Sequence, residues 1–408
     1  MIHHPSLSPV RAWRAALTLA VISAATLAAC GGGGDAGTAA APPTGTTASA
    51  SGYTLGTING FGSVVVGGVR YDESKARVLD EDDAPKASTD LKLGMQVQIN
   101  AGKLDAATGM AVAERVRFGS DTIGPVGVVN TAASTVTVLG QTVVVNSNTV
   151  FDSTLVGGLS ALTAGSVVEV HGILDQATGK ITATRIEPKV GAIFYRLRGV
   201  VTALDTTAKT FKIGTEVVSY AGLAAADVPP NLANGLLVRV RLTTAQVAGA
   251  WVATKLNGGL RLPEGSVPDA HVEGAITAFT SAAAFELNGL KVDARNASFP
   301  DGSTGIALGA RVEVTGSVTA GVLVATKVEV EERREGGMRP LELHGAITSV
   351  DAAAKTLVLR TVTVSYAGNV SFKDGTIADL AAGKKVEVYG VLSADRTRLE
   401  AQRIEFQR

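Results

Sequence analysis

The sequence predicts an all-β protein made of five tandem small five-stranded β-barrels, which follow an export signal and a flexible tether. Apolar and polar residues alternate with a period of two through much of residues 53–408, as they do in β-strands. One set of landmarks recurs five times, about 70 residues apart, which indicates repeated domains. The 47 glycines favour many tight turns, and the aromatic content of 4% favours small cores.

Residues 1–29 have the layout of a bacterial export signal. Arg11 and Arg14 precede an apolar run over 15–27, which is shorter than a permanent membrane-spanning helix needs. The run ends in Leu-Ala-Ala followed by Cys30, the only cysteine of the chain. This tetrapeptide resembles the lipobox of bacterial lipoproteins, and the resemblance implies cleavage before Cys30 and lipid attachment to its sulfur. The alternative is cleavage by the general signal peptidase, with Cys30 incidental.

Residues 30–52 form the predicted tether. After the cysteine this segment contains Gly, Ala, Thr, Pro and Ser with a single charge, Asp35, so it buries too little apolar surface to fold. Gly31 rather than aspartate follows the cysteine, which among lipoproteins of this kind implies the outer membrane, on a face that the sequence leaves open. Removal of residues 1–29 leaves two more acids than bases. The mature chain therefore has no basic excess with which to bind nucleic acid.

Three landmarks define the five repeats. A glycine opens the first strand, a second glycine precedes an alternating strand, and an Ala-x-Arg/Lys-aliphatic tetrapeptide lies in the last strand. The first glycines are Gly56, Gly127, Gly199, Gly274 and Gly345; the second are Gly94, Gly165, Gly235, Gly309 and Gly383; the tetrapeptides end at Val116, Ile186, Leu256, Val328 and Ile404. The predicted domains, called repeats 1 to 5, are residues 53–119, 120–190, 191–260, 261–332 and 333–408.

The order of strands within a repeat predicts the type of barrel. In repeat 2 the alternation places strands at about 126–130, 135–139, 141–151, 166–173 and 181–187. A short helix fits only between the third and fourth strands, as at 154–164 or 376–382. Three strands, a short helix and two strands is the order of the OB-fold, a partly open five-stranded barrel, so we predict OB-like barrels.

The register of the last two strands follows from the turn between them. Partners across an antiparallel pair have a constant sum of residue numbers, so a turn at 175–179 places Val168 opposite Ile186 and Glu169 opposite Arg185. The same rule gives the inward aliphatic pairs Val97 with Val116, Val238 with Leu256, Val312 with Val328 and Val386 with Ile404. Three glycines just after the core of the fourth strand are expected to permit a bend in it. They are Gly172, Gly316 and Gly390.

The last strand carries a base at the same place in every repeat. The predicted outer pairs are Glu169 with Arg185, Glu313 with Lys327, Glu387 with Arg403, and Gln98 with Arg115. The base could hold a carboxylate or phosphate ligand, or it could form a cross-strand ion pair worth at most about 1 kcal/mol. The acids opposite favour the ion pair in repeats 2, 4 and 5. In repeat 3 the rule sets Arg239 against Lys255, so these two residues are the candidate anion-binding site.

The repeats resemble a known domain family. The stretch from Gly56 to Asp72, GTINGFGSVVVGGVRYD, is similar to the opening of the domain of unknown function DUF5666, and Leu93–Val97 is similar to its middle motif. Repeats 2, 4 and 5 keep the later pattern, as in 165–172 and 183–187, and repeat 3 is the most divergent. The resemblance covers residues 53–407. It implies a small β-barrel fold and an envelope address, and it brings no catalytic residues.

No familiar catalytic or metal motif is present. The sequence lacks G-x-S-x-G, H-E-x-x-H, a Walker-type loop and C-x-x-C. The mature chain keeps three histidines at different repeat positions, so a shared site would need barrels that fold together. They are His171, His271 and His344. In the acidic run 80–83, Asp80, Asp82 and Asp83 are calcium candidates, but the EF-hand glycine is missing and the run also fits a solvated loop. No cofactor is expected.

These observations predict a non-enzymatic, lipid-anchored envelope protein that acts as a spacer, scaffold or binding array. Its expected partners are the membrane, through the N-terminal lipid, and an envelope protein or glycan, with no nucleic acid. The alternative is a glycan-binding module or hydrolase that acts on envelope glycans through OB-type loops. Linkers at 257–268 and 331–334 predict an extended string of barrels, on the order of 140 Å long if fully strung out.

Overall fold

The period-two alternation folds as β-strands throughout the computed structural model, which describes residues 52–105, 107–259, 265–330 and 341–407. The export signal, Cys30, nearly all of the tether and the linker at 331–334 lie outside the described residues. Inside those ranges, no helix has the length and apolar character needed to cross a membrane.

The strands of the five repeats have the following bounds. Repeat 1 contains β1 (Gly52–Phe61), β2 (Val64–Val66), β3 (Val69–Asp72), β4 (Arg77–Asp80), β5 (Pro85–Lys86), β6 (Gln96–Ala101) and β7 (Met110–Phe118). Repeat 2 contains β8 (Thr122–Asn130), β9 (Thr135–Val138), β10 (Gln141–Val144), β11 (Val150–Phe151), β12 (Val167–Leu174) and β13 (Ile181–Pro188). Repeat 3 contains β14 (Tyr195–Val200), β15 (Thr202–Asp205), β16 (Thr210–Ile213), β17 (Glu216–Ser219), β18 (Leu237–Val247) and β19 (Ala250–Gly258). Repeat 4 contains β20 (Val267–Ser281), β21 (Ala284–Leu287), β22 (Leu290–Asp293), β23 (Arg311–Thr319) and β24 (Val322–Val330). Repeat 5 contains β25 (Leu341–Asp351), β26 (Thr356–Leu359), β27 (Val362–Ser365), β28 (Ser371–Lys373), β29 (Lys385–Leu392) and β30 (Leu399–Phe406).

Each repeat closes into a small barrel. In repeat 2, β8 pairs with β9, β9 with β10, β10 in parallel with β13, β13 with β12, and β12 again with β8. Repeats 1, 4 and 5 have the same closed circuit, for example β25–β26–β27–β30–β29–β25 in repeat 5. The prediction of an all-β protein with small five-stranded barrels is confirmed.

The connection between the third and fourth strands differs from the expected short helix. Among the described residues it contains only single 3-10 turns, at Ser88–Asp90, Gly158–Ala161, Ala225–Asp227 and Ile377–Asp379. The predicted long third strand of repeat 2 is also divided, because β10 ends at Val144 and β11 begins at Val150.

The predicted register of the last hairpin is wrong by two residues in every repeat. Val170, not Val168, lies opposite Ile186, and His171 lies opposite Arg185. The turn accounts for one residue of the error. A β-bulge in the last strand accounts for the other, because it adds one unpaired residue to that strand. A slip of two residues preserves the face of each side chain. The inward pairs are therefore still aliphatic: Ile99 with Val116, Val240 with Leu256, Val314 with Val328 and Val388 with Ile404.

The three predicted bend glycines lie at these bulges. The register shifts between His171 and Gly172, and at the equivalent glycines in repeats 4 and 5. A Cβ atom on Gly172 would lie 2.6 Å from the backbone oxygen of Thr182 on the facing strand. The absence of a side chain therefore permits the close approach of two strands that the bend requires.

The barrels are joined to one another by strand pairing, which the extended-string prediction did not anticipate. The first half of β1 pairs in parallel with β20 of repeat 4, and its last residues pair in parallel with β25 of repeat 5. Tyr53 and Leu55 of β1 pack into the core of repeat 4, and the cores of repeats 1 and 5 form one apolar cluster. Repeat 2 meets repeat 3 through Ile123 of β8 and Arg196 of β14. The extended-string prediction is therefore wrong in this structure.

Candidate functional site

The two groups of site residues predicted from the sequence contact each other. The acidic loop after β4 of repeat 1 lies against the outer face of β18 and β19 of repeat 3. Lys255 Nζ lies 2.7 Å from Asp82 Oδ1, and an Arg239 guanidinium nitrogen donates to the Glu81 carbonyl oxygen at 3.2 Å. The carboxylate that faces the candidate anion-binding bases is therefore supplied by this chain, from a different barrel.

The other calcium candidates have separate partners. Asp80 accepts two backbone N–H bonds within its own turn and lies 3.3 Å from Lys86 Nζ. Asp83 Oδ1 lies 2.5 Å from an Arg117 guanidinium nitrogen. Because each carboxylate turns toward a different base, the three do not converge on one point as calcium ligands would.

Burial sets the charge state of this interface. Burial raises the pKa of Glu81 above its usual value, although Arg196 forms an ion pair with that carboxylate. Burial also opposes ionisation of Asp82, but the hydrogen bond from Lys255 holds the pKa of Asp82 below its usual value. Desolvation lowers the pKa of Arg239. Arg239 also lines a cavity of about 90 Å³ with Arg117 and Arg198, at the junction of repeats 1 to 4. Anion binding by Arg239 there stays a prediction.

The recurring base forms a different ion pair from the expected one. In the observed register Glu169 lies opposite Glu187, and Arg185 Nε donates to Glu187 Oε2, two residues along its own strand, at 2.8 Å. The equivalent same-strand pairs are Lys327 with Glu329 at 2.7 Å and Arg403 with Glu405 at 3.6 Å. The base is therefore ion-paired in repeats 2, 4 and 5, but the predicted cross-strand partners are wrong.

A larger cavity, of about 310 Å³, lies between repeats 1 and 4 where β1 joins β20. A row of polar residues crosses four strands along its wall. The parallel pairing places Thr54 beside His271, His271 lies opposite Thr315, and Thr315 lies opposite Lys327. Residues that neighbour each other across strands share a face of the sheet, so this polar row presents its side chains together.

The remaining walls of this cavity add hydroxyl, carboxylate and apolar groups. The Tyr71 hydroxyl hydrogen-bonds Thr54 Oγ1, and Asp269 and Glu313 line the repeat 4 side. The apolar lining consists of Val69, Ala101, Leu104 and Ala111. The cavity has more acids than bases, and Lys327 is already bound to Glu329. The site therefore disfavours an anionic ligand.

Burial keeps the hydrogen-bonding groups of the cavity neutral. Desolvation lowers the pKa of His271, so its imidazole is uncharged at neutral pH. Burial raises the pKa of Tyr71 to about 12, and nearby Asp269 and Glu313 act in the same direction. His271 Nε2 lies 3.4 Å from Glu313 Oε1. The cavity thus offers an imidazole and hydroxyls that can donate and accept hydrogen bonds without a change of charge.

Sequence reasoning did not find this cavity because its walls come from repeats far apart in the chain. The polar row takes Thr54 from repeat 1 and three residues from repeat 4, and no local motif joins them. The available signal was His271. It is one of three histidines at different repeat positions, and these could share a site only if the barrels packed against one another.

Comparison with known proteins supports the repeats and adds no function. A search of curated proteins found no match. Among solved structures, a chain titled drosophila Unr CSD456 is 14% identical to this one, and the match covers 52% of this chain and 96% of that chain. Its TM-score is 0.13, and at that value the likeness carries no argument. The model of the domain of unknown function DUF5666 matches residues 124–187, 273–329 and 344–405, which lie in repeats 2, 4 and 5. Repeats 2, 4 and 5 of this chain are therefore DUF5666 domains.

Proposed function

We propose that this protein is a lipid-anchored, non-enzymatic binding protein of the bacterial outer membrane. Its barrels form a scaffold that holds a small hydroxylated ligand, neutral or positively charged, between repeats 1 and 4. The anchor rests on the export-signal layout and the lipobox-like sequence before Cys30. The ligand rests on one observation, the polar row of Thr54, His271, Thr315 and Lys327 along the larger cavity.

The size and chemistry of the cavity favour a sugar-like ligand. A volume of about 310 Å³ is within the range of small-molecule sites. Neutral hydroxyl and imidazole groups with two carboxylates suit a molecule that carries several hydroxyls, and the carboxylates also suit an amine. The apolar residues that line the cavity beside this polar row match the apolar face of a sugar ring, and the polar row matches its hydroxyls.

Binding tests the ligand part of the proposal. Residues 48–408 would be titrated with neutral, amino and acidic sugars by calorimetry after a glycan-array screen. We expect saturable binding of neutral or amino sugars and no binding of acidic ones. Thr315→Val should lose at least about tenfold in affinity, because its hydroxyl can no longer hydrogen-bond the bound sugar. Thr319→Val is the matched control, since Thr319 is an exposed residue at the far end of the same strand.

Two outcomes would contradict the ligand proposal. Failure of all sugars to bind, or equal losses in Thr315→Val and Thr319→Val, would exclude this cavity as the binding site. If a bound glycan were converted to product, the protein would be a hydrolase rather than a binding protein. His271 and Glu313 would then be the first candidates for catalytic residues.

Cell fractionation tests the anchor part. Replacing Cys30 with serine removes the sulfur to which a lipid would be attached, so the protein is expected to move from the membrane pellet to the soluble fraction. A Cys30→Ser protein that still sediments with membranes after a salt wash would contradict lipid anchoring.

A further inference from the structure

A buried group of three metal-ligating side chains lies on the outer face of the last hairpin of repeat 2. Glu169 and Glu187 lie directly opposite each other on β12 and β13, and His171 follows on β12. Their ligand atoms all lie within 4.8 Å of one another. Glu169 is 7% exposed, Glu187 6% and His171 0%. An outer face would be solvated in a single barrel, so this burial depends on neighbouring repeats.

His171 is oriented as a metal ligand would be. Its Nδ1 lies 3.0 Å from the backbone oxygen of Gly119. A carbonyl only accepts, so Nδ1 must carry the proton. Nε2 is fully buried and has no hydrogen-bond partner among the residues that the structure describes, and Glu169 Oε1 lies 3.9 Å from it. A histidine that binds a metal through one nitrogen commonly donates from the other to a backbone carbonyl.

The two glutamates are held in place from their outer sides. Lys189 Nζ lies 2.5 Å from Glu169 Oε2, and Lys92 and Arg185 each lie 2.8 Å from Glu187 Oε2. The carboxylate oxygen of Glu169 that faces His171 is the other one, Oε1. Ion pairs of this kind on the far side of a carboxylate fix the direction in which it can bind a metal.

We propose that Glu169, His171 and Glu187 form a binding site for a divalent transition metal ion such as Zn²⁺. One imidazole nitrogen and two carboxylates are donors that zinc accepts, with water in the fourth position. Zinc bonds of about 2.1 Å require donors roughly 3.4 Å apart, so ligand atoms that lie up to 4.8 Å apart must approach by at most about 1.4 Å. The two carboxylates neutralise the ion. Lys92 and Lys189, with side chains 31% and 40% exposed, have room to turn toward solvent as it binds.

A similar group in repeat 5 provides the internal control. Glu342, His344 and Glu387 also place their ligand atoms close together, but they are only half-buried. Both ring nitrogens of His344 have partners: Nε2 bonds to Glu342, and Nδ1 lies 3.3 Å from Gln407 Nε2. Arg70 also forms an ion pair with Glu342. Neither nitrogen of His344 therefore has a lone pair available to a metal ion. We expect this group to bind zinc far more weakly than the group in repeat 2.

Zinc titration of the full chain, first stripped of metal with a chelator, tests the proposal. In competition with a chromogenic chelator we expect one tightly bound equivalent, and Co²⁺ should give a visible absorption band at the same stoichiometry. His171→Asn keeps a donor for the Gly119 carbonyl but removes the ligand nitrogen. It is expected to weaken binding at least about 100-fold. His344→Asn is expected to change the affinity less than about threefold, because His344 lies in the other group.

A second variant and a stability measurement keep the test decisive if His171→Asn folds poorly. Glu169→Gln should lose the same equivalent, and zinc should raise the melting temperature of the wild-type chain, because a ligand that binds only the folded state stabilises it. A wild-type chain that retains no zinc against the chelator overturns the proposal. An equivalent that survives His171→Asn and Glu169→Gln, or that is lost only in His344→Asn, also overturns it. None of these readouts involves the cavity between repeats 1 and 4.

Discussion

The last hairpins of repeats 2 and 5 have the same backbone and very different surroundings. Each has a bulge at the same place, after His171 and after Tyr389, and each carries the recurring arginine opposite that residue. The side chain of Arg185 in repeat 2 is 6% exposed, whereas that of Arg403 in repeat 5 is 45% exposed. The repeat sequence therefore sets the inner face of the hairpin, and the neighbouring barrels set the environment of its outer face.

The partners of the two arginines follow this difference. Arg185 bonds to Asp152 at 2.9 Å, to Glu187 at 2.8 Å and to the Leu93 backbone oxygen of repeat 1 at 3.3 Å. Arg403 lies over the Tyr389 ring, with 4.2 Å from its guanidinium carbon to the ring centroid. The sequence predicted a weak, exposed ion pair for both. That prediction is wrong for Arg185, because this arginine is buried and residues of repeats 1 and 5 lie beside it.

Removal of the two arginines should therefore have unequal effects. Arg185→Ala removes the buried base that Asp152 and Glu187 share and leaves only Lys92 beside Glu187. It should lower the free energy of unfolding by about 3 to 5 kcal/mol. Arg403→Ala removes an exposed pair and should cost less than about 1 kcal/mol. Urea unfolding of both variants of residues 48–408 measures the difference. Equal costs would contradict the covered face of repeat 2.

Substitutions on the inner face should destabilise the two hairpins by similar amounts. Ile186 and Ile404 are both 0% exposed and occupy the same inner position. Ile186→Ala and Ile404→Ala each leave a cavity and should each cost about 2 to 5 kcal/mol in the same unfolding experiment. A small loss at either position would show that its side chain points outward and that the inner face of the hairpin is misassigned.

The faces of these strands were predictable from sequence, whereas their partners were not. Alternation places Ile186 inside and Arg185 outside whatever the register, because neighbouring strand residues point to opposite faces. Gly172 itself indicated a bend in the strand. Nothing in the sequence indicated that the bulge would add a residue to the facing strand and so shift the pairing. The contact of Lys255 with Asp82, and the row of Thr54 with His271, depend on which barrels meet. No period-two pattern contains that information.

Acid should destabilise repeat 2 through Glu169. Burial alone would raise the pKa of this carboxyl, but His171 in its protonated, acid form and Lys189 lower it from the ordinary 4.5 to about 2. A lowered pKa in the folded state gives stability that is complete above pH 4.5 and is lost as the pH falls toward 2, by roughly 3 kcal/mol.

The test is the pH dependence of unfolding between about pH 5 and 3, measured with a chelator present. Glu169→Gln should flatten the slope, because this carboxyl no longer takes up a proton on unfolding. Glu405→Gln is the control from the exposed hairpin and should leave most of the slope. A wild-type slope that persists in Glu169→Gln would mean that other carboxylates carry the acid sensitivity.

Small-angle scattering of residues 48–408 tests most directly the claim that the barrels pack on one another through β1. The described residues in this range form one compact unit. A packed chain of this length should have a radius of gyration of roughly 21 Å. A string of separate barrels would give about 40 Å and several maxima of interdomain distance. A value near 21 Å with a single-peaked distance distribution is the predicted result. A value near 40 Å would contradict the interfaces on which the cavity and the metal site depend.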